Sequence, residues 1–394
     1  MKVSSNKRLV YVAMSGGVDS SVAATLLKKK GYKVTGVFMK PWSRFASSES
    51  STSKSRIRDS QGESGQPCLW QQDREDAMRV AAKLGISLLT WDFSKEYKKE
   101  VTDYMIREYR AGRTPNPDVM CNKKIKFGLF FKKALKEGAD FIATGHYTRI
   151  KLEIRNPKSE ILNKSKIQNP KFKLLMAKDK NKDQSYFLWT LTQEQLKYCI
   201  FPIGNYTKPE VRRMAKKFGL PTADKKDSQG VCFVGPLDMK GFLKNHIKPK
   251  RGRILDTGKK LVGYHDGIFY YTIGQRHGLD IKNGKGPYYV VDKDVKNNVL
   301  YVGSKDALLS QKLKLIGINW INRPSQPVDK RLRKSFIHRG LEVDMRVRYR
   351  APLAKAIVKG DGEIVFNKPE TAVTPGQSAV FYKGEEVLGG GIIV

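Results

Sequence analysis

Hydrophobic positions in the first part of the chain alternate between two habits. Short unbroken apolar runs occur at residues 9–14 (LVYVAM), 33–40 (KVTGVFMK), 87–93 (SLLTWDF) and within FIATGHY. Between them lie stretches with helical spacing. In the first, Val22, Ala23, Leu26 and Leu27 share a face that closes before Gly31; QQDREDAMRVAAKLGI closes at Gly85 and EYKKEVTDYMIREYRAG at Gly112. Unbroken runs bounded by turn residues read as buried parallel strands, and the intervening patterns as amphipathic crossover helices. Their alternation predicts a doubly wound α/β domain with right-handed crossovers, a fold that binds ligands at the carboxyl ends of its strands.

Two polar tracts interrupt this pattern. Residues 43–66 are rich in serine and almost devoid of apolar side chains, and residues 151–171 are similarly polar. Neither can offset its own ordering entropy, so both are expected as surface loops. Beyond them KPEVRRMAKKFGLP reads as a basic helix, and DMKGFLKNHI opens a segment rich in Gly and Tyr. From about residue 305 the period becomes two, in LEVDMRVRYR, LAKAIVKGDGEIVF and SAVFYKGEEVLGGGIIV, with turns at Gly-Asp-Gly and Lys-Gly. That tail predicts a small β-barrel. The expected division is a catalytic domain at 1–235, a small central domain at 236–304 and a C-terminal barrel at 305–394.

Composition adds a partner. The 394 residues carry 75 Lys and Arg against 38 Asp and Glu, a formal charge of +37 spread along the chain. Such an excess favours a polyanion, with nucleic acid foremost; a lysine-rich composition is the alternative source. No run approaches the ~18 apolar residues of a membrane span, and the first strand begins too early for a leader peptide. The four cysteines, Cys68, Cys121, Cys199 and Cys232, form no CxxC pair. A disulfide framework or structural zinc is therefore not expected, and the compartment should be reducing. A cytoplasmic monomer without membrane association is expected.

Three segments carry candidate chemistry. SGGVDSS, residues 15–21, leaves a strand and opens a helix. Gly16 and Gly17 permit unusual backbone angles, and successive N–H groups at the helix start form an anion nest to which Ser20 and Ser21 add hydroxyls. The loop lacks the Lys of GxxxxGK[ST], and Asp19 would repel phosphate unless it acted through Mg²⁺. GRTPNPDVMCN, residues 112–122, places Asp118 one helical turn before Cys121, where a helix start would favour the thiolate. DSQGVCFVG, residues 227–235, holds Cys232 between Gly-Val and Phe. Taken singly, each cysteine also reads as a small core hydrophobe, and Cys199 within YCIFPIG does so most clearly.

SGGxDS resembles the signature of the PP-loop ATP pyrophosphatases, which share an adenine nucleotide alpha hydrolase-like fold. That signature alone leaves amidotransferase partners, argininosuccinate synthase-like ligases and tRNA-modifying enzymes open. The ordered series SGGVDSSVAA, AGRTPNPDVMCN, ATGHY, KDQSYFL, DSQGVCF, TIGQRHGL, VVDKD, RYRA and AVTPGQSAVFY with LGGGII resembles the tRNA-specific 2-thiouridylase family from the first strand to the C-terminus. The resemblance implies a chain that uses ATP and Mg²⁺ to convert the wobble uridine of certain tRNAs to 2-thiouridine. It assigns ATP to Ala13, Met14, Ser15, Gly16, Gly17, Val18, Asp19 and Ser20, with Met39 and Gly145 at the adenosine end. Asn116, Pro117 and Asp118 would receive the flipped base. Cys232 would take sulfur as a persulfide from a carrier protein or cysteine desulfurase, and Cys121 would release it through a transient disulfide, with Asp118 moving a proton. His146, Lys182, Asp183, Gln184, Arg348, Tyr349 and Gln377 would contact tRNA. Cys68 and Cys199 match no motif of the family.

Overall fold

The structure, a computed structural model, describes residues 8–40, 42, 69–153, 171–227, 239–282, 284, 286–324 and 340–394. The tract at 43–66, Cys68 and Cys232 lie outside the described residues. The chain separates into two compact units, Met1–Val101 with Asp118–Leu237 and Thr102–Pro117 with Asp238–Val394. The GRTPNP segment thus belongs to the second unit, while Asp118 and Cys121 belong to the first.

In the first unit, strands β1 (Leu9–Ala13), β2 (Lys33–Lys40), β3 (Ser87–Asp92) and β4 (Phe141–Ala143) are the predicted apolar runs. An antiparallel hairpin of β5 (Thr148–Glu153) and β6 (Lys171–Met176) precedes the short strand β7 (Cys199–Ile200). The parallel sheet runs β3-β2-β1-β4-β7. Succession reverses between β1 and β4, which is where a doubly wound sheet opens its ligand crevice. The hairpin corrects the boundaries of the second polar tract. Residues 151–153 and Lys171 are strand, in register Glu153 to Lys171, because TRIKLE and KFKLLM carry a period-two alternation beneath their lysines.

Helix α1 (Val18–Lys29) buries Val18, Val22, Ala23, Ala24 and Leu27 on the sheet. It ends where Gly31 takes φ +89° and Tyr32 N–H returns to the Leu27 carbonyl, a left-handed cap that explains the glycine. Helix α2 (Leu69–Leu84) packs Ala77 and Val80 against the same core. Two predicted helices contain wide turns. Residues 94–110 widen at Lys98–Thr102, and a helix that begins at Pro117–Cys121 widens over Asn122–Phe130 before Phe131–Lys136. Gly128 permits the second: a Cβ there would lie 2.9 Å from the Lys123 carbonyl oxygen. Such π-type turns recur beside functional sites.

In the second unit, β8 (Gly252–Asp256), β9 (Leu261–His265), β10 (Tyr289–Asp294) and β11 (Val299–Gly303) form a sheet of order β10-β11-β8-β9 around Ile254, Ile268, Val290, Leu300 and Val302. Strands β12 (Leu309–Trp320), β13 (Leu341–Arg346), β14 (Ala354–Val358), β15 (Glu363–Thr371), β16 (Ser378–Lys383) and β17 (Glu386–Ile393) follow in order β12-β15-β14-β13-β16-β17. Pairing of β12 with β17 closes the predicted barrel. Closure needs Gly389, at φ +151°, because a Cβ would overlap the Asn319 carbonyl. Alternating residues such as Leu313, Met345, Ile364, Phe366 and Phe381 fill the interior. Among the described residues no helix is long and apolar enough to cross a membrane.

Candidate nucleotide and thiol sites

Strand β1 delivers Ala13 and the buried Met14 to the crevice, and Ser15 is exposed. Gly16 has φ +72° and lies against the Asp73 carbonyl, so both its conformation and its packing require glycine. Gly17 is the extended N-cap residue of α1. The hydroxyls of Ser20 and Ser21 donate to the Gly17 carbonyl at 3.1 and 2.8 Å, and Ser20 Oγ accepts the Ser15 N–H. Both hydroxyls thus brace the main chain of the loop itself. The N–H groups of Gly16, Gly17 and Val18 have no partner among the described residues, so the cradle is main chain. The loop after β4 comes up against it. A Cβ at Gly145 would stand 2.8 Å from the Ser20 nitrogen. Met39 is buried at the carboxyl end of β2, opposite Trp91.

A charged network surrounds Asp19. Its Oδ1 accepts the Tyr147 hydroxyl at 2.8 Å, and its two oxygens lie 2.8 and 2.9 Å from Lys208 Nζ. Lys208 also reaches Asp227 Oδ1 at 2.9 Å, and Asp227 binds Arg212 at 2.6 Å and Lys182 at 2.8 Å. Burial alone would raise the Asp227 pKa, but the hydrogen bonds from Lys182 and Lys208 outweigh it and hold the carboxyl well below the usual range. Burial, and then the charge of Asp19, push the Tyr147 phenol far up, so it stays protonated and donates. On the other side of the loop, Lys225 Nζ binds the Gly16 carbonyl at 3.1 Å together with Asp73 at 2.7 Å and Asp76 at 2.6 Å.

The ATGHY and KDQS segments lock together. Tyr147 N–H donates to Gln184 Oε1, and Gln184 N–H to the Tyr147 carbonyl, both at 2.9 Å. Asp183 is only 2% exposed; it accepts the N–H groups of Ala177 and Ser185 and the Ser185 hydroxyl. His146 is buried against Phe127 and Phe201, with Nδ1 2.7 Å from Thr144 Oγ1. Burial, aided by the charge of Lys126, lowers its pKa well below the usual value. Of this set, Lys182 keeps a half-exposed charged head.

The thiol segment forms the predicted helical turn, with Asp118 in its first turn and Cys121 at its end, 0% exposed. Cys199 is also buried, and burial raises its pKa, in keeping with the core reading. Within the second unit, Gln377 Nε2 donates to the carbonyls of Thr114 and Pro115 at 2.9 and 3.2 Å, and Thr114 N–H donates to Pro375. The TPGQ turn therefore grips the chain just before Asn116 and Pro117. Arg348 and Tyr349 lie in the turn after β13 and not on a strand, a correction of the alternation reading. Arg348 donates to the Ala372 carbonyl, and Arg350 stacks its guanidinium 5.1 Å from the Tyr349 ring centre.

Family profiles span the chain: one described as tRNA methyl transferase HUP domain matches residues 8–236, tRNA methyl transferase PRC-barrel domain matches 240–304, and Aminomethyltransferase beta-barrel domain matches 310–393. The protein named tRNA-specific 2-thiouridylase MnmA 2 of Geobacillus kaustophilus is 45% identical over 387 residues, covering 98% of this chain and 94% of the relative. Proteins named tRNA-specific 2-thiouridylase MnmA in Geobacillus thermodenitrificans and Streptococcus mutans are 44% and 42% identical, again over 98% of this chain and over 94% and 95% of theirs. The chain belongs to the tRNA-specific 2-thiouridylase family.

For this 2-thiouridylase family member, sequence reading missed Tyr147, Lys208, Arg212, Lys225 and Arg350. Tyr147 stood in plain view in ATGHY. Lys208 carried a weaker sign, the capping box of Thr207 and Glu210 that fixes the start of its helix.

Proposed function

We propose that the protein is a cytoplasmic, monomeric tRNA sulfurtransferase that makes 2-thiouridine at the wobble position at the expense of ATP. The observation that carries this is the near full-length identity to relatives of that name, joined to a glycine cradle at the switch point of a parallel sheet. The residues fit ATP: main-chain N–H groups for phosphate and a crevice bounded by Met39 and Gly145. They fit Mg²⁺ only as an ion that arrives with phosphate. Asp19 offers one carboxylate, and no group of three potential ligands occurs among the described residues. Bound there, the ion would neutralise charge on the phosphates.

The wobble uridine, flipped out because C2 is inaccessible in a stack, would sit at Asn116, Pro117 and Asp118. Its O2 attacks the α-phosphorus, the bond to the bridging oxygen breaks, and pyrophosphate leaves with that electron pair. Oxygen bonded to AMP can then depart, which the carbonyl oxygen could not. Sulfur reaches Cys232 as a persulfide from a carrier protein or desulfurase. Cys121 attacks the Cys232 sulfur, forming the disulfide and freeing sulfide, which bonds to C2 as AMP leaves; an external dithiol, itself oxidised to a disulfide, returns the two electrons and restores both thiols. Asp118 takes up the proton released on the way. Since Cys121 is buried, this reading requires its turn to open when tRNA binds. Lys182, Arg348 and Tyr349 would meet phosphate and bases, while His146, Asp183, Gln184 and Gln377 serve the tRNA surface by holding its loops.

Pyrophosphate release tests the order of events. It should depend on added tRNA and persist in Cys232→Ser, while thiolation is lost. Release that ignores tRNA would instead mark a small-molecule ligase.

A further inference from the structure

The glycine loop lacks the lysine that GxxxxGK[ST] carries to a triphosphate, yet the fold supplies one from 189 positions away. Lys208 opens the capped Lys208–Lys217 helix, and its main-chain N–H is pinned by Asp179 at 2.9 Å. The residue is 8% exposed, and Nζ stands between Asp19 and Asp227 with the Tyr147 ring centre 5.9 Å away. Asp19 lies in the first turn of α1, next to the N–H cradle, so this ammonium is held one side chain from where phosphate would sit.

Charge separates Lys208 from the other lysine at the loop. Lys225 is matched by two carboxylates and points to the carbonyl of Gly16, so it braces the loop. Lys208, Lys182 and Arg212 instead share Asp19 and Asp227, and the Asp179 carboxylate is occupied by the N–H groups of Asn181, Lys182 and Lys208. Should Asp19 turn to a cation, three basic groups would be left on Asp227. Three cations around one carboxylate leave excess positive charge, part of it on the buried Lys208, and phosphate oxygens are its natural new partners.

We propose that Lys208 is a catalytic residue: when magnesium and ATP engage Asp19, its ammonium exchanges that carboxylate for the β- and γ-phosphate oxygens and stabilises the departing pyrophosphate. The proposal rests on the ATP reading and deepens it. Its flexible stem lets Nζ move while the helix stays in place.

Calorimetric titration of the full chain with magnesium pyrophosphate and, separately, AMP tests it. Wild-type protein should bind both. Lys208→Met should weaken pyrophosphate by at least about tenfold, the loss of one charge-assisted hydrogen bond, and leave AMP within about twofold. Lys208→Arg should recover most of the pyrophosphate affinity. Because Lys208→Met leaves Asp19 without its cation, the comparison is repeated in a neutral background, where Asp19→Asn/Lys208→Met should bind pyrophosphate at least about tenfold more weakly than Asp19→Asn. Unchanged pyrophosphate affinity in both comparisons, or equal losses for pyrophosphate and AMP, would overturn the role of Lys208 while leaving the ATP reading intact. Wild-type protein that binds neither ligand would overturn that reading and the proposal with it.

Discussion

SGGVDSS and KDQS are both polar loops of the first unit and read alike as ligand contacts, but they leave different atoms over. In SGGVDSS the serine hydroxyls turn inward onto Gly17, and main-chain N–H groups remain open at the start of a helix. In KDQS the reverse holds: the Asp183 carboxylate and the Gln184 amide oxygen are consumed by main-chain N–H groups, leaving only the half-exposed head of Lys182, paired with Asp227, in reach of a ligand. A backbone site is announced by its glycines, because only glycine permits the angles and close approaches involved. A side-chain site is not, because the same carboxylate can face a ligand or a neighbouring turn.

That contrast can be broken by substitution. The largest effect is expected at Gly16→Ala, where a Cβ meets the Asp73 carbonyl at positive φ. Strain and overpacking should cost about 3 kcal/mol of stability, and ATP-dependent pyrophosphate release should fall at least about tenfold. Thermal denaturation and a pyrophosphate assay would show both; a normal variant would mean the loop is not built as described. Next comes Asp183→Ala, which strands two buried N–H groups and a hydroxyl and should cost about 2–3 kcal/mol. Its tRNA affinity, measured well below the melting temperature, should stay near wild type. A selective loss of affinity without a loss of stability would restore Asp183 as a direct contact.

The pH dependence of stability is a third, smaller effect. His146 is neutral when folded, with its pKa lowered by burial, so the unfolded chain takes up a proton that the folded chain refuses. Its contribution is present above the unfolded value near 6.5 and is lost as pH falls below it. The melting temperature should therefore drop from pH 7 toward pH 5, and His146→Gln should flatten part of that slope, at most about 1.4 kcal/mol per pH unit. An unchanged slope would mean His146 titrates normally. The smallest structural effect belongs to Lys182→Ala, below about 1 kcal/mol for a half-exposed pair. The same change should lower the salt dependence of tRNA binding by about one phosphate contact, and an unaltered salt slope would remove Lys182 from the interface.

Much of the fold was legible because each element matches its period. The runs at 9–14 and 33–40 became β1 and β2, and the C-terminal alternation became the closed barrel. The nucleotide loop was legible for the reason already given. What escaped reading depends on long-range assembly. Nothing local to KPEVRR says that Lys208 meets Asp19, and nothing in GRTPNP says that Gln377 will hold it. The alternation in LEVDMRVRYR ran past the strand, which ends at Arg346, because Arg348 and Tyr349 continue the polar and apolar alternation into a turn where Arg350 adopts φ +63°.

The central claim is ATP-dependent sulfur insertion into tRNA, and mass spectrometry of tRNA nucleosides tests it most directly. After incubation of unmodified tRNA with the protein, ATP, Mg²⁺ and a persulfide donor, the digest should contain 2-thiouridine. None should form without ATP or with Cys121→Ser. Thiouridine formed without ATP or by Cys121→Ser, or a methylated uridine in place of the thiolated one, would contradict the account.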